Sequence, residues 1–502
     1  MTNSFMNALK NDANFTYTEN GAVTHKTTKS DVYDMFALGG AYRNRTDEDV
    51  ILLFKNALDE NETLALKCLF YLRDCRGGQG ERRFFRVAYH WLAQKHPDIA
   101  RRNLIQISAY GRWDDLIYIC LETPLEREAL TIIKKQFELD LKCQTPSLLG
   151  KWMPSENASS HTTKHAATVV RKFLGLTPKA YRKDLALLRS RINIVEKLMS
   201  ENRWNEIDFS AIPSRAGFIY RNAFARRDLI AKKYENFAKS ETTKVNADVL
   251  YPYEIAHRAF SIDSDVSVDD TERLMLQKYW DNLPNYYGDH KENGLAIVDT
   301  SGSMWGQPLD VAVSLGAYIA EKAHGPFANH FITFSDDPQF VRFEGIDIVD
   351  KFNRAKNADW GGSTNIEAVF DMLLKTAQKR NVRISDMPTR LYIFSDMEFN
   401  ACMTSNLRNG ERYWWDNALR SKDEAETLLE GIAKKWAAAG YKLPHVIFWN
   451  LDARQNNIPA MGGRFSYVSG FSPVMIQTIL GGKDGYDLML EKLNSERYAA
   501  IR

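Results

Sequence analysis

The chain has 502 residues, of which 44% are hydrophobic and 26% charged, the balance of a folded protein with two or three domains. Its longest apolar runs are far too short to span a bilayer, which excludes a membrane protein, and its five cysteines lack the CxxC spacing of zinc sites. These features favour a cytoplasmic location. The formal net charge is only +2.

The first 46 residues are polar with little periodicity, and we expect them to form an N-terminal extension. From 47 to 285, apolar residues recur at three-to-four spacing in runs such as VILLFKNAL and RRFFRVAYHWLA, separated by breaks such as RGGQG. Successive short helices of this kind predict helix pairs stacked as an α-solenoid of HEAT-like repeats. No sequence repeat is visible, so this prediction rests on spacing alone.

The middle of the helical region is basic. Residues 142–250 contain 20 Lys and Arg against 10 Asp and Glu, a net charge of +10. This excess favours an anionic partner such as RNA, although solvated helix faces would give the same composition. The cationic candidates for RNA contact are Arg171, Lys172, Lys179, Arg182, Lys183, Arg215, Arg221 and Arg226. The aromatic side chains interleaved with them are Phe173, Tyr181, Tyr220 and Phe224.

The region from 286 to 502 alternates short apolar runs with helical stretches. The runs NGLAIVD, ANHFITFSD, TRLYIFSD and HVIFWNLD predict buried parallel strands, and the helices between them predict a doubly wound α/β domain. We expect QFVRFE to add an edge strand and RFSYVSG a last strand. Ligands bind such sheets at the carboxyl ends of their strands.

Hard oxygen donors follow two of these strands. Asp299, Ser301 and Ser303 come directly after the first strand, Asp396 follows TRLYIFS, and Thr364 precedes a helix that a GGS segment introduces. Two carboxylates and three hydroxyls suit Mg²⁺ or another hard divalent cation such as Mn²⁺ or Ca²⁺. Few carboxylates would leave the ion electrophilic, with one coordination position open for water or a partner's carboxylate.

Catalytic alternatives fit these residues less well. A phosphatase-type nucleophile needs a second aspartate two residues after Asp299, where this chain has Ser301. Ser303 lacks the G-x-S-x-G frame of a serine-hydrolase elbow, and RGGQGER at 76–82 lacks the ending of a phosphate-binding loop. We therefore expect no enzymatic activity, although a Mg²⁺ site is able to activate water.

Two acidic features are expected to be structural. Asp114 and Asp115 follow Trp113 at the start of a predicted helix, where acids complement the helix dipole and the tryptophan anchors the core. Glu398, two residues after Asp396, is expected to be exposed.

The series DTSGS, a distant threonine and the later SDM resembles the metal-ion-dependent adhesion site of von Willebrand factor type A domains. The resemblance implies that Asp299, Ser301, Ser303, Thr364 and Asp396 form the metal site. In that family both serines usually bind the ion directly, whereas the carboxylates often act through water.

Helical repeats followed by a type A domain resemble the TROVE proteins, which include the Ro autoantigen. The segments RDCRGGQGERRFF, SAYGRWDDLI and KWMPSE carry this resemblance. The segments DTSGSMWGQPLDVAVSLG, FSDMEF, VIFWNLD and YVSGFSP resemble more closely an uncharacterised group of plant, viral and phage relatives of TROVE. The Ro-type resemblance implies a ring of helices that binds RNA, either single-stranded ends or small structured RNAs.

The leading hypothesis is a non-catalytic RNA-binding protein with a Mg²⁺-binding adhesion-type site. The alternative is a protein-interaction scaffold that uses the metal site to bind an acidic residue of a partner, without nucleic acid. In both, the chain has no membrane partner.

Overall fold

The structure is a computed structural model, and it describes residues 13–192, 195–262, 270–290, 293–334, 337–356, 363–400, 427–480 and 485–502. Its strands are β1 (Phe15–Tyr17), β2 (Val23–His25), β3 (Gly294–Asp299), β4 (His330–Phe334), β5 (Gln339–Arg342), β6 (Arg390–Ser395), β7 (His445–Asn450) and β8 (Phe465–Ser469).

The helices of the described residues are, in chain order, α1 (Asp31–Leu38), α2 (Asp47–Glu60), α3 (Glu62–Arg73), α4 (Arg82–Lys95), α5 (Pro97–Asn103), α6 (Ile107–Tyr110), α7 (Trp113–Cys120), α8 (Glu126–Lys142), α9 (Leu149–Trp152), α10 (His161–Phe173), α11 (Pro178–Arg191), α12 (Val195–Ser200), α13 (Ser214–Arg226), α14 (Asp228–Lys239), α15 (Pro252–Phe260), α16 (Asp270–Asp281), α17 (Gln307–Lys322), α18 (Ile348–Lys356), α19 (Ile366–Arg380), α20 (Leu428–Ala438), α21 (Met475–Ile479) and α22 (Gly485–Leu493). None of these described helices combines the length and the apolar character needed to cross a membrane.

The chain divides into two compact units. An α/β unit comprises Met1–Thr46, Tyr251–Val268 and Leu283–Lys492. A helical unit comprises Asp47–Leu250, Asp269–Asn282 and Leu493–Arg502. This division differs from the predicted boundaries in three places. Met1–Thr46 and Tyr251–Val268 belong to the α/β unit, and Leu493–Arg502 belongs to the helical unit.

In the helical unit, successive helices pack against one another. Helix α3 packs on α2 and α4, α4 packs on α7, and α13, α14 and α16 pack together. The rings of Phe70, Phe85, Tyr89 and Tyr110 contact one another with centroids 5.3–5.9 Å apart inside this unit. The predicted helical region is therefore confirmed as helical, while a solenoid or ring arrangement stays a prediction.

The last ten residues are held in the helical unit by a buried carboxylate. Asp74 is fully buried, and it accepts hydrogen bonds from Arg497 Nη2 at 2.6 Å and from the Tyr498 hydroxyl at 3.0 Å. The backbone N–H of Arg502 donates to Asn103 Oδ1 at 2.9 Å. A buried carboxylate needs a cationic partner, and Arg497 brings one from a segment that the sequence assigned to the α/β region.

The α/β unit contains a six-stranded sheet in the order β5-β4-β3-β6-β7-β8. All pairs are parallel except β4 with β5, so the predicted mostly parallel sheet is confirmed, and QFVRFE supplies the antiparallel edge strand. Strand β3 is buried at every residue, as expected for a parallel strand with both faces covered. Helix α17 lies against β3, and a Cβ on Gly316 would come within 2.4 Å of Val298 Cγ2.

The predicted N-terminal extension belongs to the α/β unit, and its described part, from residue 13 onward, pairs with that unit. Strands β1 and β2 form an antiparallel hairpin. His25 and Ile458 then exchange two backbone hydrogen bonds, of 3.0 and 2.9 Å. Gly21 forms a bridge with Asn400, beyond the end of β6. These backbone pairings join residues more than 370 positions apart, which local periodicity does not predict.

Candidate functional site

The strand order of the large sheet reverses between β3 and β6, because the chain leaves β3 toward β4 and later returns to its other side. Such a switch point leaves a crevice outside the carboxyl ends of the two strands, where doubly wound sheets bind ligands. Asp299 is the last residue of β3, and Asp396 directly follows β6. Both are buried, with 0% and 1% exposure.

The carboxylate of Asp299 is held by its neighbours. Its Oδ1 accepts a hydrogen bond from Ser301 N at 2.9 Å, and its Oδ2 accepts one from Ser395 Oγ at 2.5 Å. Burial, and then the charge of Asp396, raise the pKa of Asp299 to about 7. The two carboxyl groups are therefore close enough to repel each other when both are ionised.

One carboxylate oxygen of Asp396 is buried and lacks a hydrogen-bond donor in the described part of the chain. Its Oδ1 accepts a hydrogen bond from Glu398 N at 3.1 Å, whereas Oδ2 is buried without a hydrogen-bond partner among the described residues. Burial raises the pKa of Asp396, while a hydrogen bond from the Ser303 side chain opposes that rise. Ser301 Oγ lies 3.1 Å from Ser303 Oγ. The structure thus brings four of the five predicted ligands into one network.

Thr364 reaches this region through the loop that carries Asp396. It is 3% exposed, and its carbonyl oxygen accepts a hydrogen bond from Asn400 N at 3.0 Å. Asn400 Nδ2 also donates to Ser363 Oγ at 2.7 Å. The described contacts connect the backbone of Thr364 to the loop, while its hydroxyl has no described contact with the other four residues.

The turn after Asp396 has a strained backbone. Met397 adopts a φ of 66°, in the left-handed region that non-glycine residues rarely occupy. Its N–H donates to Ser395 Oγ at 3.0 Å, the hydroxyl that in turn donates to Asp299. Backbone strain of this kind, at a cost of order 1–3 kcal/mol, persists where the surroundings enforce it and often marks a functional site.

An arginine that the sequence did not suggest lies at the edge of the site. Arg454 Nη2 donates to the Ser303 carbonyl at 2.6 Å and lies 3.8 Å from Asp396 Oδ2. Its Nη1 lies 3.5 Å from Glu19 Oε2, in the turn between β1 and β2. The sequence does contain one signal for Arg454. It follows the predicted strand HVIFWNLD, and residues that follow parallel strands lie at the sheet edge where Asp299 and Asp396 are expected.

Glu398 is buried, so the expectation that it would be exposed is wrong. Its side chain accepts hydrogen bonds from Glu19 N at 2.6 Å and from Asn457 Nδ2 at 2.8 Å, and the residue is 1% exposed. Burial raises the pKa of Glu398 to about 7. The turn between β1 and β2, which contains Glu19, covers this side chain. The local sequence FSDMEF does not indicate that a distant segment buries Glu398.

The donor set suits a hard cation that accepts hydroxyl ligands. The described residues contain no group of three or more His, Cys, Asp and Glu side chains that could hold a metal ion. At this site a cation would bind the carboxylates of Asp299 and Asp396 together with the hydroxyls of Ser301 and Ser303. Such oxygen donors match the preferences of Mg²⁺ and exclude a thiolate- or imidazole-based site.

The first five RNA candidates lie in α10 and α11 of the helical unit. Arg171 donates to Glu156 Oε1 at 2.7 Å and to the Leu176 carbonyl at 2.9 Å, so its guanidinium already has internal partners. Arg182 lies 3.6 Å from the same glutamate. The remaining three are exposed and make no side-chain hydrogen bond or ion pair with a described residue. These are Lys172, Lys179 and Lys183, here called the lysine patch.

The candidates in α13 differ from one another. Arg221 is 11% exposed, pairs with Glu272 at 3.3 Å, and lies over the Phe218 ring at 4.4 Å, which gives it an internal role. Arg215 and Arg226 are exposed. Two of the four interleaved aromatics, Tyr181 and Phe224, are buried and not available for stacking, whereas Phe173 and Tyr220 are partly exposed. Tyr181 and Phe224 are 0% and 1% exposed, and the Tyr181 hydroxyl donates to the Pro154 carbonyl.

Comparisons with known proteins cover nearly the whole chain. Two family models match, the domain of unknown function DUF2828 at residues 18–137 and 151–285 and the domain of unknown function DUF7788 at residues 293–499. "Uncharacterized protein L728" of Acanthamoeba polyphaga mimivirus is 31% identical over 519 residues, which cover 94% of this chain and 86% of that protein.

A solved structure is also similar to this chain. The crystal structure of the Ro (RSR) protein of Deinococcus radiodurans matches 91% of this chain and 100% of its own, with a TM-score of 0.49 and 14% identical residues. A likeness at this level carries no statement about function. The DUF2828 match and the mimivirus relative show that the chain belongs to the DUF2828 family.

Proposed function

We propose that the protein is a non-catalytic, Ro/TROVE-like RNA-binding protein whose α/β unit is a von Willebrand factor type A domain with a Mg²⁺-binding adhesion-type site. The ligands of the ion would be Asp299, Ser301, Ser303, Thr364 and Asp396. The ion would supply an electrophilic position that binds a carboxylate of a partner. Mn²⁺ or Ca²⁺ would serve the same site.

The observation that carries the metal proposal is the buried Asp396 Oδ2, which has no hydrogen-bond donor among the described residues. An ionised oxygen in this position is costly unless a cation compensates it. Arg454 Nη2 lies 3.8 Å from this oxygen, beyond hydrogen-bond distance, so it compensates an ionised carboxylate here only in part. The neighbouring charge of Asp299 increases that cost. A divalent cation between the two carboxylates and the serine hydroxyls would remove both costs at once.

The lysine patch supports the RNA proposal. Lys179 and Lys183 are four residues apart and therefore share one face of α11. Glu156 contacts both Arg171 and Arg182, which joins the end of α10 to the start of α11 beside Lys172. Exposed ammonium groups without ion pairs are free to neutralise phosphates and release their counterions.

The metal site is tested by thermal unfolding with and without Mg²⁺. Binding to the folded chain alone should stabilise it by about 2.7 kcal/mol at a concentration one hundred times the Kd. We expect this Mg²⁺-dependent stabilisation to disappear in Asp396→Asn and to weaken in Ser301→Ala. Asp386→Asn, at an exposed aspartate of the same unit, is the matched control and should respond like the wild type.

Equal stabilisation by Mg²⁺ in the wild type and in both site variants would refute the metal proposal. Because the comparison is made within each variant, a change in its basal stability does not affect the conclusion.

RNA binding is tested by fluorescence anisotropy as a function of salt. We expect the triple variant Lys172→Gln/Lys179→Gln/Lys183→Gln to bind RNA more weakly and to lower the salt slope by about two to three. The triple variant at exposed lysines elsewhere in the same unit, Lys55→Gln/Lys95→Gln/Lys135→Gln, removes the same charge and should bind like the wild type. Equal slopes for the two variants would contradict the assignment.

One observation favours the alternative of a protein-interaction scaffold. Trp305 follows the Ser301–Ser303 turn and is 73% exposed. Exposed tryptophans are enriched among the residues that dominate protein–protein affinity. If Trp305→Ala abolished capture of a protein partner while the wild type bound no RNA, the scaffold would be the better account.

A further inference from the structure

Three segments of the helical unit that are far apart in sequence meet at one cluster of charges. They contain the start of α4, the start of α7 and the end of α9. Arg86 of α4 donates to Asp114 at 2.9 Å and to Asp115 at 2.6 Å, both in α7. The guanidinium of Arg112, which precedes α7, lies 4.0 Å from the ring centroid of Trp152 in α9.

The acidic residues of this cluster are already neutralised. Asp115 and Arg73 are 0% and 3% exposed and form an ion pair at 2.7 Å. The sequence predicted that Asp114 and Asp115 only complement the helix dipole. In the structure both also form ion pairs with Arg86. Burial opposes ionisation of Asp115, yet Arg73 and Arg86 lower its pKa. These two arginines balance the two carboxylates, so any further cation in the cluster adds positive charge.

Three further cations are present. Arg112 Nε and Nη2 lie 3.1 and 3.2 Å from the oxygens of Asp114, whose charge it shares with Arg86. Lys151 Nζ lies 5.6 Å from the Trp152 ring centroid. Arg82, the first residue of α4, is exposed and makes no side-chain hydrogen bond or ion pair with a described residue. Partial burial and the charges of Arg112 and Arg86 lower the pKa of Arg82. An anion bound beside Arg82 would relieve this repulsion.

The guanidinium of Arg112 is preorganised as a stacking surface. Asp114 holds one edge of it, and the indole of Trp152 covers one of its faces. Its side chain keeps 26% exposure. Guanidinium planes and aromatic rings are the groups on which proteins stack unpaired RNA bases. A plane fixed on two sides loses little conformational entropy when a base stacks on it.

We propose that Arg82, Arg112, Lys151 and Trp152 form a binding site for an unpaired RNA nucleotide, here called the Arg112 site. Arg82 and Lys151 bind the flanking phosphates, and the stack of Arg112 on Trp152 receives the base. This inference rests on the proposed RNA-binding function and adds that the helical unit selects single-stranded over duplex RNA.

The test compares a single-stranded oligoadenylate of about 12 nucleotides with a blunt RNA duplex of the same length. Arg112→Lys keeps the charge but loses the plane. We expect it to weaken single-strand binding about tenfold and to leave duplex binding within about twofold. Arg82→Gln should weaken binding of the single strand and lower its salt slope by about 0.7. Arg127→Gln, at an exposed arginine of α8 without these contacts, is the matched control.

The outcomes separate this inference from the proposed function. Wild-type affinity and salt slope in Arg82→Gln, together with loss of RNA binding in the lysine-patch variant, would overturn the Arg112 site and leave RNA binding intact. A wild-type protein that binds neither RNA would overturn both. If Arg112→Lys failed to fold, Arg82→Gln would decide, because its side chain holds no described partner in the fold.

Discussion

The guanidinium Nη2 of Arg454 lies 3.8 Å from Asp396 Oδ2 and donates a hydrogen bond of 2.6 Å to the Ser303 carbonyl. Asp396 and Ser303, two of the proposed metal-site residues, thus have the positive charge of Arg454 next to them. This charge attracts an anionic ligand but repels a divalent cation.

We predict that Arg454→Gln binds Mg²⁺ more tightly than the wild type, by roughly threefold, because a partly exposed charge at this distance contributes less than about 1 kcal/mol. Isothermal titration with Mg²⁺ measures the change. Arg383→Gln, at an exposed arginine of the same unit, should leave the affinity unaltered. Weaker Mg²⁺ binding in Arg454→Gln would mean that the arginine orients the site and does not compete with the ion.

The C-terminal segment is predicted to stabilise the helical unit through Arg497. Arg497→Met leaves the buried Asp74 carboxylate without its cation. We expect a loss of about 2–3 kcal/mol, less than for a fully buried pair because Arg497 is 39% exposed. Urea unfolding followed by circular dichroism measures the loss. A loss below about 0.5 kcal/mol would show that the pair behaves like an ordinary surface ion pair.

The same pair predicts an acid limit of stability. Burial disfavours the ionised form of Asp74, but hydrogen bonds from Arg497, Arg76 and Gly77 lower its pKa below the ordinary value of 3.8. A lowered carboxyl pKa stabilises the fold above the unfolded value and loses that contribution as the pH falls through the folded value. Stability should therefore decline below about pH 4, and less steeply in Asp74→Asn, when melting temperatures are compared between pH 7 and 2.

Two helical glycines make a matched pair for the packing of α17 on β3. Gly316→Ala would bring a methyl group within 2.4 Å of Val298 Cγ2, and we expect a loss of about 1–3 kcal/mol. At Gly431, in α20, a methyl group would meet no described atom within 4 Å, so Gly431→Ala should stabilise by about 0.5–1 kcal/mol. Chemical unfolding of both variants checks the opposite signs, and a stabilising Gly316→Ala would contradict the close approach.

The metal-site residues were accessible to sequence reasoning because their signals are local. Asp299 and Asp396 each end an apolar run, and parallel strands place their carboxyl ends at one sheet edge. Arg454 lies after a third such strand, but an arginine is not a metal ligand, so the pattern of oxygen donors does not point to it. Glu398 was misjudged because its cover comes from Glu19, whose contact with it spans 379 positions.

The sequence by itself determined the helical and α/β character of the two regions, because side-chain periodicity of 3.6 or 2 is a local property of each element. Tertiary structure alone decided that the N-terminal hairpin joins the α/β unit, that Arg497 reaches Asp74, and that Arg454 stands beside Asp396. Each of these contacts joins residues that are distant in the chain. The contacts form because backbone polar groups and charged side chains that become buried need a hydrogen-bond or ionic partner. Which residue becomes that partner is not encoded in any periodic pattern of the sequence.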